Sequence, residues 1–187
     1  EGITFDEPKL KIMGIEAVKS STPEVCRTKI KEAIKIIMSK QESDLHKFVK
    51  DFKTIFFTLP AEAVSFPRSC NNMRKYNSSS DIFIKGTPIH VKGALIYNHQ
   101  IKEFGLQNKY PLIQEGDKIK FVKLVEANPF KFDVISYVTK LPKEFKLEKY
   151  IDYEIQFEKT FVDPIRFILQ PIGWTPEPKA SLEAFFG

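Results

Sequence analysis

Two stretches near the start of the chain repeat apolar residues every three or four positions. In "STPEVCRTKIKEAIKIIMSK" the stripe is Cys26, Ile30, Ala33, Ile34, Ile37 and Met38; after Ser43 it is Leu45, Phe48, Val49, Phe52, Ile55 and Phe56. That spacing places one apolar face on each of two helices. Thr22 is the expected cap of the first, with Pro23 at its first position and Glu24 at its positive end; Ser43 is the expected cap of the second, and Pro60 ends it. The short gap between them predicts an antiparallel hairpin. Upstream, "KLKIMGIEAVK" alternates in places and reads as a strand followed by a turn.

Residues 60–86 lack either period and carry Pro60, Pro67 and the run "NNMRKYNSSSD", so they read as irregular. A third helix follows in "GTPIHVKGALIYNHQIKEFGL", with Thr87 as cap, Pro88 at its first position and Gly105 just past its end. "GDKIKFVKLV" and "KFDVISYVTKL" are two strands joined through the turn signal "EANPF". A long helix over "YIDYEIQFEKTFVDPIRFILQPIG" closes the pattern, and Pro164 after Asp163 either kinks it or restarts it. The fold class is α+β: mainly helical, with a small antiparallel β element and an extended C-terminal tail.

Length and composition fit this outline. The chain has 187 residues, 42% hydrophobic, with 17 Phe, enough for one domain with a core of large flat side chains. No apolar run is long enough for a membrane span, and the start "EGITFDEPK" lacks the apolar centre of a signal peptide. Cys26 and Cys70 stand without a CxxC or a Cys/His cluster, as buried thiols of an intracellular protein would. His46 has no partner at metal-ligand spacing, and His90 and His99 are too far apart to chelate from one helical face.

Charge alters the picture more. The chain has 29 Lys and Arg against 24 Asp and Glu. Between Ala63 and Lys102 stand Arg68, Arg74, Lys75, Lys85, Lys92 and Lys102 against Asp81 alone, so the whole surplus of five falls in this segment. Basic residues interleaved with Asn, Ser and Tyr suit phosphate contact, and a helix starting at Thr87-Pro88 favours anions at its amino end. A solvated face, with Asn71 and Asn72 serving only as turn residues, is the competing reading. Catalytic patterns are missing: no phosphate-cradling glycine loop, nucleophile elbow, HExxH motif or tight carboxylate pair occurs. In the tail "SLEAFFG", Leu182, Phe185 and Phe186 fall at i, i+3 and i+4 and would form an apolar knob on one helical turn, docking on a partner or folding back.

The segments "EPKLKIMGIEAVKSSTP", "NNMRKY", "IHVKGALIYN", "EANPF", "DYEIQFEKTF" and "KASLEAFFG" occur in order along nearly the whole chain. Together they resemble the C-terminal part of the family B DNA polymerases of T-even-type phages. The resemblance implies that residues 1–20 finish the palm domain and its linker and that 21–170 form a duplex-binding thumb. Residues 171–187 would be a flexible tail ending in a sliding-clamp-binding peptide, in which Leu182, Phe185 and Phe186 enter the clamp. It further implies DNA contact at Lys19, Ser69, Asn71, Asn72, Lys75, Tyr76, Lys85, His90, Lys92 and Lys159, whereas Asp163 stands where a basic residue is expected.

The polymerase aspartates, the nucleotide-binding fingers helix and the exonuclease carboxylates of that family lie outside this sequence. On this reading the chain holds no cofactor of its own, Mg2+ belonging to the palm, and is inactive as a nucleotidyltransferase alone. It is either a piece of a larger polymerase or the smaller chain of a split one. Its partners would be primer–template DNA, the sliding clamp and the remaining polymerase domains, in the cytoplasm of an infected bacterium. The alternative is a stand-alone interaction module whose C-terminal peptide docks on a partner, with no specific DNA role.

Overall fold

The computed structural model describes residues 19–179. The strand expected upstream of residue 19 and the apolar knob of Leu182, Phe185 and Phe186 lie outside the described residues. Within them the chain forms two compact units: residues 19–59 with 157–179, and, inserted between these, Pro60–Gln156.

The first unit is helical. Helix α1 (Glu24–Ser39) and helix α2 (Glu42–Phe56) bury the centre of each expected stripe, Cys26, Ile30, Ala33 and Ile37 on one and Leu45, Val49, Phe52 and Phe56 on the other. Ile34 and Phe48 are half-buried, and Met38 and Ile55, at the stripes' margins, are exposed. Phenylalanine does most of the filling. Phe52 meets Phe161 edge-on at 4.8 Å and Phe157 at 5.7 Å, and Phe56 meets Phe157 at 5.2 Å.

Both helix starts differ from the expectation. Pro23 occupies the capping position with non-helical backbone (φ −55, ψ 142), so Thr22 lies one residue too early to cap and is buried instead. The second helix begins at Gln41, whose amide donates to the Asp44 carboxylate at 3.0 Å in a reciprocal capping box, and Ser43 falls inside the first turn.

The last helical segment is broken into α6 (Tyr153–Phe157), a wider π-helical turn (Glu158–Val162), α7 (Asp163–Leu169) and a terminal 3₁₀ turn, Gln170–Ile172. Pro164 explains the break. It has no N–H to donate, and its ring would crowd the carbonyl four residues earlier in a regular helix; the wider turn relieves both.

The second unit is built on a three-stranded antiparallel sheet in the order β1-β4-β5: Phe66–Ser69, Lys118–Lys123 and Val134–Tyr137. The strands expected in "GDKIKFVKLV" and "KFDVISYVTKL" are β4 and β5. The segment 60–86, expected to be irregular, also contains a helical turn α3 (Ala61–Val64), strand β1, a helical turn α4 (Met73–Tyr76) and a small hairpin of β2 (Asn77–Ser78) and β3 (Ile82–Phe83). The elements are too short for a period to emerge. Pro67 also argues against a strand, but β1 is an edge strand, where a missing N–H is tolerated. Phe66 stacks on Phe121 at 5.1 Å across the β1–β4 pair.

Helix α5 (Ile89–Glu103) lies on this sheet and buries Val91, Gly93, Ala94, Leu95, Ile96, Tyr97 and Ile101. Thr87 does not cap it: Pro88 holds the capping position (φ −57, ψ 145), one residue later, and the Thr87 hydroxyl donates to the Ile84 carbonyl at 2.6 Å. Its other end follows expectation. Gly105 takes φ +65, its amide reaches the Lys102 carbonyl, and the Leu106 amide reaches back to that of Ile101 at 2.9 Å.

Candidate nucleic-acid interface

Eight of the ten residues expected to meet DNA lie in the inserted unit; Lys19 and Lys159 lie in the other. By sequence the inserted unit carries 15 basic residues against 11 acidic, and the rest of the chain 14 against 13.

Around α4 the chain is locked by a carboxylate. After β1, Cys70 exchanges backbone hydrogen bonds with the 114–117 loop: its amide donates to the Asp117 carbonyl at 2.8 Å, and the Gly116 amide donates to its carbonyl at 2.7 Å. This brings the Glu115 carboxylate under the start of α4, where it accepts from the backbone N–H of Asn72 and, at 2.9 Å, from that of Met73. Asn72 is left-handed (φ 66), a conformation Asn tolerates better than most residues. Two backbone amides ahead of Lys75 are thus already filled by Glu115. The side chains of Asn71 and Asn72 still face solvent.

The cations of this turn are exposed. Lys75 lies over the Tyr76 ring at 5.3 Å, which holds the ammonium at the surface. Arg74 is also exposed and lines a cleft of about 390 Å³ with Met73, Asn77, Asn98 and Glu115. Lys85 is exposed in the turn that leads to α5, and Ser69 and Lys118 are exposed opposite one another across the β1–β4 pair. Arg74, Lys75, Lys85 and Lys118 take part in none of the ion pairs found among the described residues.

His90 and Lys92 sit differently. Burial lowers the pKa of His90, and the nearby Arg68 charge lowers it further against an opposing bond to the Ser69 backbone, so at neutral pH the ring is uncharged. Lys92 pairs with Asp133 at 3.0 Å and lies over the Phe83 ring at 5.2 Å. Lys123 of β4 takes the other oxygen of Asp133 at 2.8 Å. In the helical unit, Lys19 is exposed, and Lys159 reaches Asp163 at 3.4 Å. Asp163 also accepts from Arg166 Nη1 at 2.8 Å, and the same nitrogen donates to Glu158 at 3.1 Å. Two cations and two anions there balance.

Sequence reasoning thus missed Arg74 as an interface candidate, though the charge count contained it, and it missed Glu115, Lys118, Lys123 and Asp133. The last four carry no local signal, since their partners lie 10 to 43 residues away or across a strand pair.

Among the described residues no group of three or more His, Cys, Asp or Glu could hold a metal ion, and no helix is long and apolar enough to cross a membrane.

No family model matches the chain. It is 32% identical over 187 residues to the DNA-directed DNA polymerase of Enterobacteria phage T4, an overlap that takes in 98% of the chain and 20% of that protein. It is 35% identical over 191 aligned residues to the DNA-directed DNA polymerase of Escherichia phage RB69, covering 100% of the chain and 21% of that protein. The chain spans about a fifth of the length of these curated relatives.

Proposed function

Since the chain is related along its whole length to part of the DNA-directed DNA polymerases of T4-type phages, we propose that it is the thumb of such a polymerase. It grips the primer–template duplex behind the site of synthesis by its phosphate backbone and minor groove. Its C-terminal peptide, with Leu182, Phe185 and Phe186, tethers the enzyme to a sliding clamp. The catalytic aspartates and their Mg2+ belong to the remaining domains, with which this chain works.

The observation that supports the grip is the unpaired charge of the inserted unit: Arg74, Lys75, Lys85 and Lys118 all face solvent. Cations outside internal ion pairs release counterions from DNA and give affinity with no dependence on base sequence. Ser69, Asn71, Asn72 and Tyr76 add neutral donors beside them, while Lys19 adds a cation from the helical unit and Lys159 does so on leaving Asp163. His90 contributes at most a hydrogen bond at neutral pH.

Fluorescence anisotropy of a labelled primer–template duplex, titrated at several salt concentrations, tests the proposal. Three or four neutralised phosphates predict a slope of about −3 in log affinity against log salt, reduced by about one for Lys75→Ala. A slope near zero, indifferent to Lys75→Ala, defeats it. Removing residues 181–187 abolishes clamp binding and leaves the duplex slope unchanged if the two tasks are separate.

A further inference from the structure

We propose that Lys92 and Lys123 form a phosphate site which the chain keeps filled with its own carboxylate, and that a bound duplex displaces Asp133 from it. The inference rests on the duplex-backbone reading and names a regulation of that surface.

The geometry is that of an occupied anion site. Lys92 comes from α5 and Lys123 from β4, and their ammonium groups take one Asp133 oxygen each, at 3.0 and 2.8 Å. Both lysine side chains are largely packed away, at 26% and 22% exposure, and Lys92 is further held over the Phe83 ring. The ammonium positions are therefore fixed by the fold, not by the anion alone. Asp133 is the loose partner, with its side chain 50% exposed. Its backbone is anchored independently, since its carbonyl accepts from the Leu124 amide at 2.9 Å. The turn before it is held by Asn128, whose side-chain amide donates to Val125 and Phe132 carbonyls at 2.6 and 2.7 Å. Rotating the Asp133 side chain away thus costs no backbone contact. A phosphodiester offers a similar pair of anionic oxygens, slightly wider apart, to the same two ammonium groups.

A tie whose only purpose is to join α5 to β4 makes the opposite forecast. Removing the carboxylate of a purely structural tie changes duplex affinity only as far as the loss of any nearby anion does, the size of effect that Glu115→Gln sets. Removing a resident competitor strengthens binding beyond that and opens Lys92 and Lys123 to phosphate itself.

The experiment uses the full chain and the labelled duplex. Asp133→Asn raises the local charge from one to two, and should tighten duplex binding by about threefold or more at low salt and steepen the salt slope by about one. Lys123→Ala added to Asp133→Asn returns the slope to the wild-type value. Equal or weaker binding by a folded Asp133→Asn protein, checked by its melting curve and by Asp133→Ala, overturns the inference. A second arm needs no DNA: lysine ammonium NMR with inorganic phosphate should show shifts at Lys92 and Lys123 in Asp133→Asn that are absent or much weaker in wild type, and equal shifts in both overturn it. If wild type shows no salt-dependent duplex binding while the NMR arm succeeds, the duplex reading fails and the anion site stands.

Discussion

Gly93 stands where α5 crosses β5 too closely for any side chain. A Cβ there would lie 2.3 Å from Ser136 Oγ and 2.8 Å from the Ser136 backbone nitrogen. Alanine is the better helix former by about 1 kcal/mol, but the backbone contact cannot yield, and overpacking of this kind costs about 1–3 kcal/mol. Gly93→Ala should therefore lower the urea midpoint of the whole chain. Ser136→Ala removes only the nearer contact, and also the hydroxyl that donates to the His90 carbonyl at 2.9 Å, so it should rescue the Gly93 variant partly at best in a double-mutant cycle.

The two thiols supply another residue-scale forecast. Burial pushes the pKa of both Cys26 and Cys70 up to about 11, with Glu115 and Asp117 adding to the effect at Cys70. A folded-state pKa above the unfolded value near 8.5 means that the stabilising contribution is whole below that pH and is lost as pH rises towards 11. Melting temperature should fall over that window, and less steeply for Cys26→Ala than for wild type. Sequence revealed that the cysteines had no ligand pattern, and the apolar stripe placed Cys26 inside. No sequence feature marks Gly93, because its constraint is an approach by a strand 43 residues further on.

At the scale of elements, length decided what could be read. The stripes of α1 and α2 repeat often enough to fix their buried faces, and β4 alternates from Lys118 to Phe121 before Val122 breaks the pattern. Between residues 60 and 86 each element is four residues or fewer, so tertiary partners choose the conformation and no period records it. The turn α4 shows this most clearly. Its left-handed start at Asn72 and its two amides depend on Glu115, placed by the 114–117 loop. Glu115→Ala should leave both amides unbonded, cost about 1–3 kcal/mol and abolish slow hydrogen exchange at Met73. Glu115→Gln keeps an acceptor and should recover part of that loss. Because the variants also remove a negative charge near Arg74, duplex affinity separates two effects. An ordered turn is required if binding falls in Glu115→Ala, whereas charge alone would raise it equally in both.

For the whole molecule, the main organisational fact is an insertion whose two ends are fastened together. Gln156, fully buried at the last position of the inserted unit, donates to the Val64 carbonyl at 2.6 Å and accepts from the Lys123 amide at 2.9 Å. Tyr137, at the end of β5, adds a buried bond at 2.6 Å to Ser65, the residue that caps the α3 turn after Val64. The unit has its own sheet, its own helix cover and its own closure, which are the conditions for folding alone. Residues 60–156 expressed by themselves should melt cooperatively, and Gln156→Ala should destabilise them by about 2–4 kcal/mol, because it strands a buried carbonyl and a buried amide. That fragment also carries most of the chain's positive surplus. If the charge argument is right, it should retain most of the salt slope of duplex binding, losing only what Lys19 and Lys159 supply. A fragment that folds, as judged by its melting curve, yet binds duplex with no salt dependence would show that the surplus at Arg74, Lys75, Lys85 and Lys118 is a solvated face, and would defeat the proposed grip.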